Sequence, residues 1–202
     1  MVDDDDFASV LAAAQNGDEG AFATLFRSVQ PALLRYLCTL ARNLSDGTAD
    51  DVAADTWVQV VRGLDRFRGD EQGFRGWVFT IARARLTDAR RRSGRLPVPQ
   101  DEAPAPFDVT VPSAADTVEV LFTTERALAL VGVLPRPQAE VVLLRYVVGF
   151  DVAETARILG QRPGTVRVTA HRALRRLEEH LRSKSLDEAV TDSRSASVWE
   201  VR

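Results

Sequence analysis

Five prolines between positions 97 and 112 constrain the fold more than any other feature of the sequence; they are Pro97, Pro99, Pro104, Pro106 and Pro112. Proline lacks the backbone N–H that a helix interior needs, so no helix crosses this stretch. Apolar residues recur at helical spacing on both sides of it. We therefore predict an all-α protein of two small helical domains, residues 1–93 and 117–182, joined by a flexible Pro-rich acidic linker over 94–116. The polar stretch 183–202 is predicted to be a disordered tail.

Composition excludes several classes of protein. Cys38 is the only cysteine, so neither an intramolecular disulfide nor a cysteine-based zinc site can form. No apolar run approaches the ~18 residues that a membrane helix needs, and the acidic run Asp3 to Asp6 is the opposite of a secretory signal. We therefore expect a soluble, cytoplasmic protein without membrane insertion, and no cofactor or metal.

The N-terminal domain shows several helix boundaries. Asp18 is placed to cap a helix, within which Pro31 either kinks the chain or begins a new helix. Thr48, with Asp51 three residues later, resembles a capping box at the start of another helix. A further helix, rich in aromatic residues, ends in a run of arginines that closes at Arg92.

The stretch from Gly149 to Leu177 predicts a helix-turn-helix. Asp151 can cap a short helix, Gly160 begins a tight turn, and Pro163 suits the first turn of a longer second helix. Two helices joined by a short turn that contains glycine are typical of DNA-binding proteins, whose second helix enters the major groove.

The charge of that second helix supports DNA binding. Seven Lys or Arg residues lie between positions 162 and 184, against Glu178 and Glu179. Arg167 and His171 share one face with Arg175, from which base edges and phosphates can be reached. The alternative is a solvated helix face, which explains the charge but not the turn and the cap. A metal site at His171 and His180 is disfavoured because no further ligand stands at a suitable spacing.

A second basic cluster closes the N-terminal domain. It comprises Arg83, Arg85, Arg90, Arg91, Arg92 and Arg95, with Asp88 as the opposing acid, and it follows Phe74, Trp77 and Phe79. Aromatic faces beside cations can stack unpaired bases while the cations follow the backbone. Two alternatives stay open: the arginines can complement the helix dipole, and Trp77 can belong to the core.

The order of these motifs resembles the extracytoplasmic-function (ECF) group of bacterial RNA polymerase sigma factors. The matching segments are Ala49 to Trp57, Leu64 to Gly69, Phe74 to Arg83 and Asp88 to Arg92, followed after the linker by Leu134-Pro135, Val142 to Tyr146, Gly149 and Gly164 to Leu174. They span about residues 8–182. The resemblance implies a sigma factor that binds core RNA polymerase and promoter DNA, and that an anti-sigma factor holds inactive.

The resemblance also implies three sets of contact residues. Polymerase would be bound by Asp50, Asp51, Asp55, Gln59 and Arg62. The single strand of the −10 element would be captured by Arg68, Asp70, Phe74, Trp77, Arg83, Arg85, Asp88, Arg91 and Arg92. The duplex −35 element would be read by Arg162, Pro163, Thr165, Arg167, Val168, His171, Arg172 and Arg175.

Two departures from the family pattern limit what can be transferred. Ala54 stands where the family often has Gln before the acid of the polymerase-binding motif. Val168 and Thr169 stand where it often has Ser and Arg, so the −35 base preference cannot be borrowed.

Two other functions were weighed against this interpretation. A stand-alone helix-turn-helix regulator of duplex operators leaves the second arginine cluster unexplained. An enzyme is disfavoured because no Gly-rich phosphate loop, recognisable nucleophile or metal cluster occurs in the sequence, and no catalytic residue is predicted.

Overall fold

The computed structural model describes residues 4–42, 44, 48–93 and 118–197, with side chains described for 6–42, 44, 48–93 and 125–183. All regular secondary structure in these residues is helical, which confirms the all-α prediction. The elements are α1 (Asp4–Gln15), α2 (Glu19–Ala41), α3 (Thr48–Gly63), a 3-10 turn (Leu64–Arg66), α4 (Glu71–Arg92), α5 (Val118–Val131), α6 (Arg136–Val142), a π-helical turn (Leu143–Val148), α7 (Val152–Leu159) and α8 (Pro163–Ser197). The predicted linker lies outside the described residues.

The N-terminal domain is a bundle of α1 to α4. α2 packs on α1, α3 and α4, and α3 packs along α4. The apolar positions of these helices meet in the interior, where Leu33 and Leu37 of α2, Val60 of α3, and Val78 and Leu86 of α4 are completely buried. Burying each such side chain contributes about 1.5–3 kcal/mol, so the amphipathic pattern of the helices holds the bundle together.

Two sequence features of α2 have clear structural outcomes. Asp18 caps the helix as predicted, because its Oδ1 accepts a hydrogen bond from the Ala21 amide at 2.7 Å. Pro31 lies inside α2. It therefore does not begin a new helix, although it leaves one backbone carbonyl of the preceding turn without its N–H partner.

The C-terminal domain is built around α8, on which α6 and α7 pack. Asp151 caps α7 by accepting a hydrogen bond from the Glu154 amide at 2.7 Å. Gly160 ends α7 with a φ of 64°, a left-handed conformation that glycine adopts without strain. Pro163 begins α8, whose Val166 and Ala173 side chains are completely buried. The predicted helix-turn-helix is therefore present in α7 and α8.

The structure continues α8 to Ser197, into the stretch 183–202 for which the sequence predicts a disordered tail. The sequence from Thr165 to Ser197 contains neither glycine nor proline, the two residues that most often end a helix.

In the part of the chain that is described, no helix is both long and apolar enough to cross a membrane.

The two domains pack against each other. α2 contacts α5, α6 and the π-helical turn, and α4 contacts α7. Aromatic rings meet at this contact: the Phe79 ring lies 5.4 Å from that of Phe150 and 5.3 Å from that of Tyr36, both edge to face. All three side chains are almost completely buried, so one apolar core runs through both domains.

Candidate nucleic-acid interface

The residues predicted to read duplex DNA lie together around the turn before α8 and along its first half. All of them are exposed: Arg162, Pro163, Thr165, Arg167, Val168, His171, Arg172 and Arg175. Val166, Ala170 and Ala173 form the opposite, buried side of the same helix. The helical period therefore holds the polar face outward while the apolar face anchors it to α6 and α7.

This face of α8 is cationic and partly apolar. Among the described residues, the acids of α8 pair with Arg175 (3.9 Å from Glu179) and Arg182 (2.7 Å from Glu178). Because Glu178 and Glu179 pair with these two arginines, Arg167 and Arg172 are available to contact a phosphate or a base edge. Leu174, an apolar residue of the same helix, is 44% exposed.

The residues predicted to capture single-stranded DNA differ widely in exposure. Exposed members are Arg68, Asp70, Asp88, Arg91 and Arg92, and half-buried ones are Trp77, Arg83 and Arg85. Phe74, which was predicted to be among these residues, is completely buried in the structure. Its ring lies 5.5 Å from that of Phe67 and 6.0 Å from those of Phe7 and Trp77, so it supports the core and presents no face to a base.

The loop before α4 is held rigidly in place. Asp70 caps α4 by accepting a hydrogen bond from the Gly73 amide at 2.7 Å. The Gln15 side chain donates to the carbonyls of Leu64 (2.8 Å) and Phe67 (2.9 Å), which ties the loop to α1. The Phe67 ring stacks on Trp77 at 5.1 Å, so the indole has a fixed orientation at the surface.

The arginines of α4 are not equivalent. Asp88 lies between Arg85 (4.0 Å) and Arg91 (3.9 Å) in loose, exposed pairs that contribute little. Arg90 turns inward and donates to the Leu40 carbonyl. Burial, followed by the charge of Arg136, lowers the pKa of Arg90 to about 10. The cationic surface of α4 is therefore narrower than its sequence suggests.

The residues predicted to bind polymerase lie on α3. Asp50, Asp51, Asp55 and Arg62 are exposed and Gln59 is half-buried. Val58 (47% exposed) and Val61 (56% exposed) accompany them. The face thus combines acidic and apolar groups.

A metal site finds no support in the described residues, where no three His, Cys, Asp or Glu side chains cluster as ligands.

Comparison with known proteins identifies the family. Residues 25–96 match the family model "Sigma-70 region 2", and residues 124–177 match "Sigma-70, region 4". The ECF RNA polymerase sigma factor SigD of Mycobacterium tuberculosis (strain H37Rv) is 32% identical over 178 residues, which cover 86% of this chain and 82% of SigD. ShbA of Streptomyces griseus, also an ECF sigma factor, is 36% identical over 187 residues, covering 86% of this chain and 96% of ShbA. This chain belongs to the ECF sigma factors.

Solved structures show the same fold for this sigma factor. CnrH, determined in complex with the cytosolic domain of CnrY, aligns with a TM-score of 0.60 at 24% identity over 86% of this chain and 96% of that chain. The sigma factor RpoE, determined in complex with the anti-sigma factor NepR from Bartonella quintana, aligns with a TM-score of 0.59 at 23% identity. The alignment covers 80% of this chain and 96% of that chain.

Several residues of this sigma factor that shape the candidate interface were not singled out from its sequence. Gln15 fixes the loop before α4, and Arg75 donates to the Val148 carbonyl at 2.7 Å. Glu140 is 5% exposed and forms an ion pair with Arg83 at 3.0 Å. An acid within the apolar run Ala139 to Leu144 is the signal that could have drawn attention to Glu140.

Proposed function

We propose that this chain binds core RNA polymerase and directs it to promoters, where α8 reads the duplex −35 element and α4, with its preceding loop, captures the opened −10 element. One observation carries the proposal: two exposed cationic surfaces lie on different domains, each inside a segment that matches a sigma-70 region. The chain acts by recognition without bond chemistry, in the cytoplasm, where polymerase works.

Recognition of the −35 element is supported by the form of α8. Its exposed N-terminal half fits the major groove, in which Arg167 and His171 reach base edges while Arg172 and Arg175 contact phosphates. The exposed side chain of Val168 suits contact with a thymine methyl group.

Capture of the −10 strand is supported by the surface of α4. Trp77 offers the edge or face of a fixed indole, and Arg85, Arg91 and Arg92 supply charge along the strand. Phe74 contributes by holding Trp77, not by touching a base. Opening the duplex costs a few kcal/mol per unstacked step, which binding of the exposed bases offsets.

Polymerase binding is supported by the mixed face of α3. A row of carboxylates beside exposed valines suits a protein surface that offers both cations and an apolar patch.

Polymerase binding also strengthens DNA binding. When α4 and α8, the two surfaces proposed to bind DNA weakly, are held on one polymerase, the effective concentration of each at the promoter is raised. That an anti-sigma factor binds this chain and holds it inactive remains a prediction from the family resemblance.

Reconstitution with core polymerase tests this function. We expect the holoenzyme to initiate transcription from a distinct set of promoters in a genomic library. Arg167→Ala should weaken initiation at promoters that need a −35 element by about 5–150-fold, which corresponds to the 1–3 kcal/mol of one base contact. Arg27→Ala, which removes an exposed arginine of α2, is the matched control. Failure to initiate anywhere would refute the proposal. Tight operator binding without polymerase would instead identify a stand-alone regulator.

A further inference from the structure

The last residue of α1 binds the loop that joins α3 to α4. Gln15 Nε2 donates hydrogen bonds to the Leu64 carbonyl at 2.8 Å and to the Phe67 carbonyl at 2.9 Å. The Gln15 side chain is half-buried, and it precedes residues 25–96, the segment that matches the Sigma-70 region 2 model. A side chain outside that segment therefore determines where a loop inside it lies.

This loop in turn fixes the Trp77 indole. The Phe67 ring stacks on the indole, with ring centroids 5.1 Å apart and planes inclined by 21°. A Cβ on Gly63 would lie only 3.0 Å from Cζ2 of Trp77, so the backbone directly before Leu64 also lies against the indole. Trp77 is thus contacted on both sides of the turn whose carbonyls Gln15 binds.

Arg68 is oriented by one of the same carbonyls. Its Nη1 donates to the Phe67 carbonyl at 2.6 Å, and this carbonyl also accepts from Gln15. Gly69 follows with a φ of 157°, and a Cβ there would lie 3.1 Å from the Phe67 ring, so the loop is closely packed. Two residues proposed to bind the −10 strand, Arg68 and Trp77, are therefore both oriented by groups of Phe67, the residue whose carbonyl Gln15 holds.

We propose that Gln15 is a positioning residue for capture of the −10 strand: its two hydrogen bonds select the loop arrangement in which Trp77 and Arg68 meet unpaired bases and their backbone. A loop that is ordered before DNA arrives adds no ordering cost to binding. Gln15 itself acts through Phe67 and does not touch the strand. The DNA half of this proposal rests on the function proposed above, whereas the ordering of the loop by Gln15 does not.

A pair of glutamine variants tests the proposal. Gln15→Met keeps the length of the side chain and the helix propensity of α1 but donates no hydrogen bond, so the Leu64 and Phe67 carbonyls lose this partner. Gln30→Met is the matched control. Gln30 is also a half-buried glutamine, and its Oε1 accepts a hydrogen bond from Trp57 Nε1 at 2.6 Å between α2 and α3.

Hydrogen exchange of the full-length free chain reports the order of the loop. We expect the amides of residues 65–73 to exchange faster in Gln15→Met than in the wild type, because the loop opens more often once the two hydrogen bonds are lost. In Gln30→Met the exchange of these amides should be unchanged. Urea unfolding of both variants measures how far each substitution lowers global stability.

Holoenzymes made with each chain report capture of the strand. The probe is the −10 strand of a promoter obtained from the genomic library, as a fluorescent single-stranded oligonucleotide. It should bind about three- to tenfold more weakly to the Gln15→Met holoenzyme, because apparent affinity falls with the fraction of molecules whose loop is ordered. Affinities for core polymerase and for a −35 duplex should stay unchanged, and Gln30→Met should change none of the three.

Unchanged loop exchange in Gln15→Met would overturn the proposal. Faster exchange without weaker strand binding would also overturn it, because loop order would then not matter for capture. An equal loss of strand affinity in Gln30→Met would have the same consequence, since lower stability alone would explain it. Initiation by the wild-type holoenzyme is measured separately: if it fails, the proposed function and the DNA half of this proposal fall together, whereas exchange still decides whether Gln15 orders the loop.

Discussion

Aromatic side chains in the N-terminal domain have distinct roles that depend on single ring contacts. Phe7, Phe67, Phe74 and Trp77 form one cluster between α1, the loop before α4 and α4 itself. Phe74 is at its centre and completely buried, whereas Trp77 lies at its edge and is half-buried. One ring therefore stabilises the fold and the other keeps part of its surface exposed, as the proposed contact with DNA requires, although the two are three residues apart.

Replacing Phe74 by alanine should cost stability. We expect Phe74→Ala to lower the free energy of unfolding by about 3–5 kcal/mol, because the ring leaves a cavity among three aromatic neighbours. Urea unfolding followed by circular dichroism measures the change. Trp77→Ala should cost less stability yet reduce promoter opening by the holoenzyme. A loss below about 1 kcal/mol for Phe74→Ala would contradict the core assignment.

At the scale of elements, the helix-turn-helix depends on local capping as much as on packing. Asp151 satisfies an amide at the start of α7, and Gly160 supplies the left-handed turn that aims α8. α7 is short, so it has few backbone hydrogen bonds of its own to maintain its direction. Its cap therefore affects the placement of α8, the helix that we propose reads DNA.

Removing this cap should affect both stability and DNA binding. Asp151→Ala is expected to cost about 1 kcal/mol of unfolding free energy and to weaken binding of a −35 duplex by up to about fivefold, because α8 is held less firmly. Asp18→Ala is the matched control: it removes the cap of α2 with the same chemistry. Chemical denaturation and fluorescence anisotropy measure the two effects. Equal losses of duplex affinity in both variants would count against a specific role of α7.

At the scale of the whole molecule, opposite charges are separated along the chain. The formal net charge is −3, yet seven Lys or Arg residues lie between positions 162 and 184. The α3 face carries Asp50, Asp51 and Asp55. Because the charges are separated, one chain can bind polymerase and DNA through different surfaces. The small net charge does not indicate this separation.

This segregation predicts a strong dependence of DNA binding on salt. For the holoenzyme, the logarithm of promoter affinity should fall linearly with the logarithm of salt concentration, and Arg172→Ala should reduce the slope by about 1, the release of one counterion. Arg27→Ala should leave the slope unchanged. Filter binding across a salt series measures it. An unchanged slope in Arg172→Ala would show that this side chain does not contact a phosphate.

The sequence by itself determined the helices, the caps at Asp18 and Asp151, the turn at Gly160 and the cationic face of α8. These features depend on residues within one or two turns of each other, where propensity and spacing suffice. The tail is a stretch where two local signals differ: its low hydrophobicity predicts disorder, whereas its lack of glycine and proline up to Ser197 is compatible with the continuation of α8.

Only the tertiary structure decided which side chains of α4 are available. The burial of Phe74 and the inward turn of Arg90 depend on where α1 and α2 pack. The pairing of Glu140 with Arg83 and Tyr36 joins positions 57 and 104 residues apart. No periodicity encodes such a contact, because it exists only once the two domains have docked and the carboxylate has lost its water.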